Sequence, residues 1–254
     1  MKESSIKALL LKSVIPLVQG HYGFETLSIL HRDVRGIETT VSQNDEIDHV
    51  WLTRVSSNPN LFDGLQVRLD SWRTDNKCLI LNTSLTSYRE FLGTNLNRPD
   101  WPESCLANPI GVSGLVFTLD KFIVLGVRAG DLGEYSGYID TFGGNLSPSL
   151  HVTNCAIDPF KAFDCEVEEE LAIDAKQIGP AILTGLWRNA ETQRPELVFR
   201  TGVSADRMSI ELRGHEHTEL IFLSSTPADI MQFSQQHEAE MTPSCKAALL
   251  GLIE

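Results

Sequence analysis

Short apolar stretches broken by turn signals dominate the first hundred residues. GFETLSIL and KCLILNTSL are separated by NPN, FDG and NRPDWP, so this part reads as strand-rich and irregular. NRPDWP, from Asn97 to Pro102, marks the expected boundary between an N-terminal β-rich region over residues 1–105 and a second region over 106–254. Beyond it the pattern becomes regular. VSGLVFTLDKFIVLGVR contains two apolar, β-rich runs joined at Asp120 and Lys121, which is the pattern of a hairpin buried on at least one face. YIDTF forms a third short strand running straight into Gly143 and Gly144.

Asp158 followed by Pro159 is a helix start, because aspartate accepts the free N–H groups of a first turn and proline is tolerated at the first helical position. The helix is expected to run to about Ala172. AILTGLWRN and ELVFRTGVS then pair as strands, ELIFL adds another, and PADIMQFSQQH and TPSCKAALLGLI close the chain as helices that begin near Thr-Pro pairs. Strands, helix, strands and helices in that order predict an α/β (α+β) fold, a mixed sheet sandwiched between helices.

Within the first of these helices, Phe160, Phe163, Val167 and Leu171 fall at spacings of three, four and four and make the buried stripe. CEVEEELAI, from Cys165 to Ile173, places four glutamates beside it. At about 100° per residue, Glu166, Glu169 and Glu170 converge while Glu168 points away. Like charges at these spacings cost roughly 0.2–0.5 kcal/mol per pair, and no Lys or Arg lies between Lys161 and Lys176 to offset them. A solvated acidic face is the ordinary reading of such a run. A hard divalent cation such as Mg²⁺, which takes carboxylate oxygens and bridges to phosphates, removes the repulsion altogether.

Composition narrows the partners. The 254 residues are enough for one large domain or two closely joined ones. A net charge of -13 without a basic run argues against nucleic acid and anionic membranes as partners. The longest early apolar run, ALLLKSVIPLVQG, is interrupted by Lys12 and Pro16 and is too short to span a bilayer, so a cytoplasmic protein is expected. Five scattered cysteines (Cys78, Cys105, Cys155, Cys165, Cys245) with no Cys-x-x-Cys pair are expected to be reduced thiols.

CEVEEELAI resembles the second half of the signature of Nudix hydrolases, Arg-Glu-U-x-Glu-Glu-x-Gly-U with U aliphatic, and Gly143-Gly144 after a strand resembles its start. The resemblance implies a Nudix-type sheet between helices. It also implies metal binding by Glu166, Glu169, Glu170 and the carbonyl of Gly144, with Mg²⁺ as cofactor and Mn²⁺ as a substitute. Cys165 stands where the family has arginine, Ala172 where it has glycine, and Phe142 where proline usually precedes the glycines. The interval from Gly144 to Glu166 is 22 positions, about seven longer than in the family, and the expected mid-loop acid is absent, Asp158 being the nearest.

NPNLFDGLQVRL, LTSYREFLGTN, NPIGVSGLVF and GLWRN are similar to segments of the Nudix branch that hydrolyses UDP-glucose and UDP-galactose. That similarity implies attack of water on the diphosphate of a UDP-hexose, releasing UMP and hexose 1-phosphate. The alternatives are another nucleoside diphosphate derivative such as ADP-ribose, or a binding module with little turnover. For the general base the family suggests a loop glutamate, here Glu216 or Glu219, with Glu169 and Glu170 also open. His215 and His217 flank Glu216 at a spacing seen in metal sites, which an exposed loop explains as well. Tyr88 and Phe91 offer stacking surfaces, Arg89 and Asn95 donors, and Arg188 and Arg194 contacts to phosphates.

Overall fold

The computed structural model describes residues 3–130, 134–153 and 156–253. The apolar run near the start divides into helix α1 (Glu3–Leu10) and strand β1 (Val14–Tyr22). Strands β2 (Leu27–Arg35), β3 (Leu65–Asp75) and β4 (Cys78–Ser87) form a three-stranded sheet in the order β2-β4-β3. The β3–β4 hairpin turns at Asn76 and Lys77, whose φ values of 47° and 68° are those of a turn that matches the twist of the strands.

Between β2 and β3 lies α2 (Val41–Ser57), a helix where only strands and irregular chain were expected. Thr40 and Gln43 cap it reciprocally. Of its 17 residues only Ile47 is buried, so it carries no apolar stripe by which to recognise it. A second capping box, Ser87 with Glu90, starts the short helix α3 (Tyr88–Gly93).

The larger sheet comprises β5 (Gly111–Phe117), β6 (Phe122–Arg128), β7 (Ile139–Asp140) and β8 (Phe142–Asn145). A small hairpin of β9 (Val152–Thr153) and β10 (Ala156–Ile157) leads into helix α4 (Pro159–Glu170). There follow β11 (Ile182–Asn189), β12 (Pro195–Gly202), β13 (His217–Ser224), α5 (Pro227–His237) and α6 (Pro243–Ile253). The order is β1-β11-β12-β5-β6-β13, with β7 on β6 and β8 on β5. β12 and β5 run parallel and the other pairs antiparallel, which makes the sheet mixed as expected.

Helices cover both faces. Phe163, Val167 and Leu171 pack with Val112, Phe142 and Phe199 on one side; Phe163 stacks on Phe199 at 5.2 Å between centroids. Full burial of such a side chain contributes roughly 1.5–3 kcal/mol. On the other side Leu115, Leu125, Trp187 and Val198 meet Ile6 and Leu10 of α1, Ile230 of α5 and Leu249 of α6.

Pairings and packing cross the division expected at residue 105. β1 pairs along β11, from Val14 opposite Asn189 to Tyr22 opposite Leu183. The Ile110 N–H donates to the Val67 carbonyl, and the Val67 N–H to that of Leu146. Val67, Leu69, Leu79 and Leu81 belong to the same core as Val112 and Phe142. Turn-forming composition marks where the chain changes direction, and a shared core is decided by pairings too distant in sequence for it to reveal. Among the described residues no helix is long and apolar enough to cross a membrane. Cys78, Cys105, Cys165 and Cys245 are free thiols, and Cys155 lies outside the described residues.

Candidate active site

The Asp158 carboxylate accepts from the N–H groups of Phe160 and Lys161, fixing the start of α4. Twelve residues later the last turn brings its glutamates against β8. Glu170 is buried at 5% exposure, and its Oε2 accepts the Gly143 N–H at 2.9 Å. A Cβ on Gly144 would stand 2.0 Å from Glu166 Oε1, so glycine is what leaves room for that carboxylate. Glu169, by contrast, faces solvent on the outer flank. The expected trio therefore turns inward unevenly, with Glu166 and Glu170 on the glycine pair and Glu169 outside.

Burial, followed by the charges of Glu170, Glu216 and Glu169, pushes the Glu166 carboxyl up to about 8. Burial also raises Glu170, opposed by His217. Glu216 is exposed, just before β13, and its charge reaches both carboxylates. Glu168 acts instead on Asp164, which burial, Asp158 and Glu168 push up to about 6. Cys165 is half-buried, and desolvation with the surrounding glutamates raises its thiol, so a neutral group occupies the position where the resemblance calls for a cation.

Among the described residues no three His, Cys, Asp or Glu side chains are gathered closely enough to hold a metal as they stand. The chemistry of the inner pair nevertheless suits a hard divalent cation. Glu170 Oε1 is buried with no hydrogen bond to satisfy it, and Glu166 is pressed by like charges; a cation answers both. Hard oxygen donors of this kind match Mg²⁺ or Mn²⁺ better than soft metals.

A cavity of about 220 Å³ reaches β8 but is lined by none of the α4 glutamates. Tyr88, Tyr135, Trp187, Arg188 and Arg194 line it together with Asn145, the residue after Gly144. Three of the residues singled out from the sequence, Tyr88 from α3, Arg188 from β11 and Arg194 from the following turn, are thus brought to one cleft. Arg194 lies over the Phe91 ring at 5.7 Å and donates to Asn145 Oδ1 at 3.1 Å. Arg188 is ion-paired with Glu103. The Nε atoms of both arginines are buried without a hydrogen-bond partner, leaving unused donor capacity around the cleft.

Two other candidates are placed elsewhere. Arg89 is ion-paired with Asp48 and Asp63 and does not line the cavity. Asn95 is completely buried; its Nδ2 donates to Asn108 Oδ1 and to the Thr192 carbonyl, and its Oδ1 accepts from Asn108 N. It latches the β11–β12 turn to the N-terminal segment and has no group left for a substrate. The residue type was suitable in both cases, and partners distant in sequence took up the donors.

Several cavity residues went unrecognised. Asp140 accepts from Arg128 Nη1 at 2.9 Å and from Thr242 Oγ1 at 2.6 Å. Glu196, whose carboxyl burial raises, lies beside Arg194 and the hydroxyls of Ser113 and Ser244. A lone acid entering an apolar strand, as in PELVF, was the available signal. His217 is not in an exposed loop. It is buried as the first residue of β13, edge-on to Phe142 at 5.1 Å, with Nδ1 3.3 Å from Glu170 Oε1.

The chain is 27% identical over 241 residues to a mouse protein named uridine diphosphate glucose pyrophosphatase NUDT22, covering 80% of this chain and 78% of that one. The human protein of the same name is 26% identical over 245 residues, covering 82% and 80%. Nudix hydrolase 9 of Arabidopsis thaliana is 25% identical over 233 residues, covering 78% and 72%. No family model matches. Among solved structures, a Nudix hydrolase from Alicyclobacillus acidocaldarius aligns with a TM-score of 0.43 at 11% identity, covering 57% of this chain and 90% of that one. The MutT protein of Methanosarcina mazei Go1 aligns with a TM-score of 0.35 at 18% identity, covering 52% and 94%.

Proposed function

We propose that this chain, a Nudix-type hydrolase, cleaves the diphosphate of a UDP-sugar, UDP-glucose or UDP-galactose, to UMP and sugar 1-phosphate in a Mg²⁺-dependent reaction. The observation that supports the reading is the packing of Glu166 and Glu170 on the Gly143-Gly144 pair of β8, whose next residue, Asn145, lines an arginine- and aromatic-rich cleft. The relatives named for UDP-glucose hydrolysis, similar over about four fifths of the chain, supply the substrate class.

Tyr88, Tyr135 and Trp187 offer flat surfaces to the uracil or hexose ring. Arg188 and Arg194 donate to the phosphate oxygens, and their fixed planar forks hold the diphosphate in one orientation. Glu166, Glu170 and the Gly144 carbonyl would hold Mg²⁺, with Glu169 completing the set. When bound, the ion neutralises phosphate charge and lowers the pKa of a water. Glu216, exposed and with its charge felt at Glu166, is the candidate to take the proton from the attacking water, with Glu169, also exposed, as the other.

The test is incubation of the purified chain with UDP-glucose, UDP-galactose and ADP-ribose, with and without Mg²⁺, and identification of the products. UMP with hexose 1-phosphate, formed only with the cation, is the expected result. Cleavage of ADP-ribose with both UDP-hexoses left intact sinks the substrate assignment, and the absence of turnover with every compound would return the chain to the class of binding modules.

A further inference from the structure

Helix α4 carries four glutamates in five positions and no cation of its own at their level. Arg213, beside its C-terminus, donates through Nη1 to the Glu168 carbonyl rather than to a carboxylate. Cys165 is an uncharged thiol. The side chain that reaches the innermost carboxylate comes from the opposite element. His217 of β13, 2% exposed in its side chain, sets Nδ1 3.3 Å from Glu170 Oε1.

The surroundings of this ring are built for it. Phe142 meets it edge-on at 5.1 Å. A Cβ on Gly126 of the neighbouring strand β6 would stand 2.3 Å from His217 Cδ2. The ring thus has an aromatic neighbour in Phe142 and, at Gly126, a position where only the lack of a side chain leaves it room. Both ring nitrogens and Glu170 Oε1 are buried without a well-aligned hydrogen bond, so the contact is close but not closed. The other oxygen, Oε2, is already held by the Gly143 N–H. Glu170 is therefore aimed from two sides, by a backbone donor of β8 and by an imidazole of β13.

We propose that His217 is the positioning residue of the metal site, acting through Glu170: its Nδ1–H orients Oε1 and fixes the direction in which that carboxylate meets a cation. The inference rests on the metal reading of Glu166 and Glu170. A carboxylate free to turn about its last bond is poorly set for an ion, and a donor beside one oxygen holds it in place while leaving lone pairs on both oxygens for the ion. His217 touches no substrate in this arrangement and stays behind the ligand.

The measurement is Mn²⁺ binding to the full chain by electron paramagnetic resonance, without nucleotide, in wild type, H217A and H217N, with E166Q and E170Q as references and thermal unfolding as a check on the fold. Losing an outer partner of a ligand typically weakens metal affinity about ten- to hundredfold, and H217A is expected to fall in that range. Asparagine presents an N–H near the position of Nδ1, so H217N is expected to recover most of the affinity. H217A that binds Mn²⁺ as well as wild type, while E166Q and E170Q lose it, overturns the role of His217 and leaves the metal reading standing. A folded H217N as weak as H217A overturns it too, because a supplied donor then makes no difference. Unchanged binding in E166Q and E170Q removes the metal reading and this inference with it.

Discussion

Glu166 gives the metal-free protein a stability that falls as pH rises. Its carboxyl titrates near 4.5 when unperturbed and is pushed up to about 8 in the fold, by burial and then by Glu170, Glu216 and Glu169. Between those values the folded chain keeps a proton that the unfolded chain has released, so each further unit of pH favours unfolding. The contribution is fully present below about pH 4.5 and is lost as pH rises through about 8. One unit corresponds to about 1.4 kcal/mol, so the whole interval amounts to at most about 5 kcal/mol, and to about 3 kcal/mol by pH 7. For a chain of this size that is a fall in Tm of roughly 6–12 °C. The assay is urea unfolding in EDTA from pH 5 to 8, followed by tryptophan fluorescence, for wild type and Glu166→Gln. Glutamine cannot titrate, so the variant is expected to gain on wild type by up to about 1.4 kcal/mol per pH unit. Saturating Mg²⁺ should flatten the wild-type curve, since the cation takes the proton's place. Parallel curves for the two proteins in EDTA would refute the claim that Glu166 is held protonated by its surroundings.

Gly144→Ala puts a Cβ 2.0 Å from Glu166 Oε1, and should reduce Mg²⁺-dependent turnover about ten- to hundredfold, read by product formation across a Mg²⁺ titration. Arg194→Ala should raise KM for UDP-glucose about ten- to hundredfold, the range for losing a charged hydrogen bond of about 1.5–3 kcal/mol; an unaltered KM in the folded variant would remove Arg194 from the cleft's working surface. Asn95→Ala leaves Asn108 and the Thr192 carbonyl without their partner. It should cost about 1–3 kcal/mol of stability while kcat/KM measured well below Tm stays near wild type. A substrate contact would show the reverse.

What could be read in advance follows the range of the forces involved. The start of α4 at Asp158-Pro159 and its stripe of Phe160, Phe163, Val167 and Leu171 depend on neighbours within one or two turns; the start appears as expected and the last three of the stripe are buried, with Phe160 partly buried against the same core. Helix α2 escaped because a capping box at Thr40 is a faint signal when only Ile47 is buried. In the candidate site, the packing of Glu166 and Glu170 on the glycine pair was legible because it involves one helix and one strand. The cleft joins Tyr88 to Arg188 across 100 positions, and nothing local distinguished Arg188 and Arg194 from Arg89, whose donors Asp48 and Asp63 occupy. His217 could not be assigned from HEHTEL, since its partner Glu170 and its clearance at Gly126 belong to other elements.

The pairing of β1 with β11 also sets a timetable. Val14 finds Asn189 175 positions later. At roughly 5–20 residues per second of synthesis, that is a wait of about ten to thirty-five seconds. During that time the first strand leaves the ribosome without its neighbour, and the apolar residues of α1 have no helix α6 to cover them. The early segment must therefore remain soluble, or be shielded by a chaperone, until the last third of the chain is made. Lys12 and Pro16, which interrupt its apolar run, suit that interval: both oppose strand-to-strand aggregation.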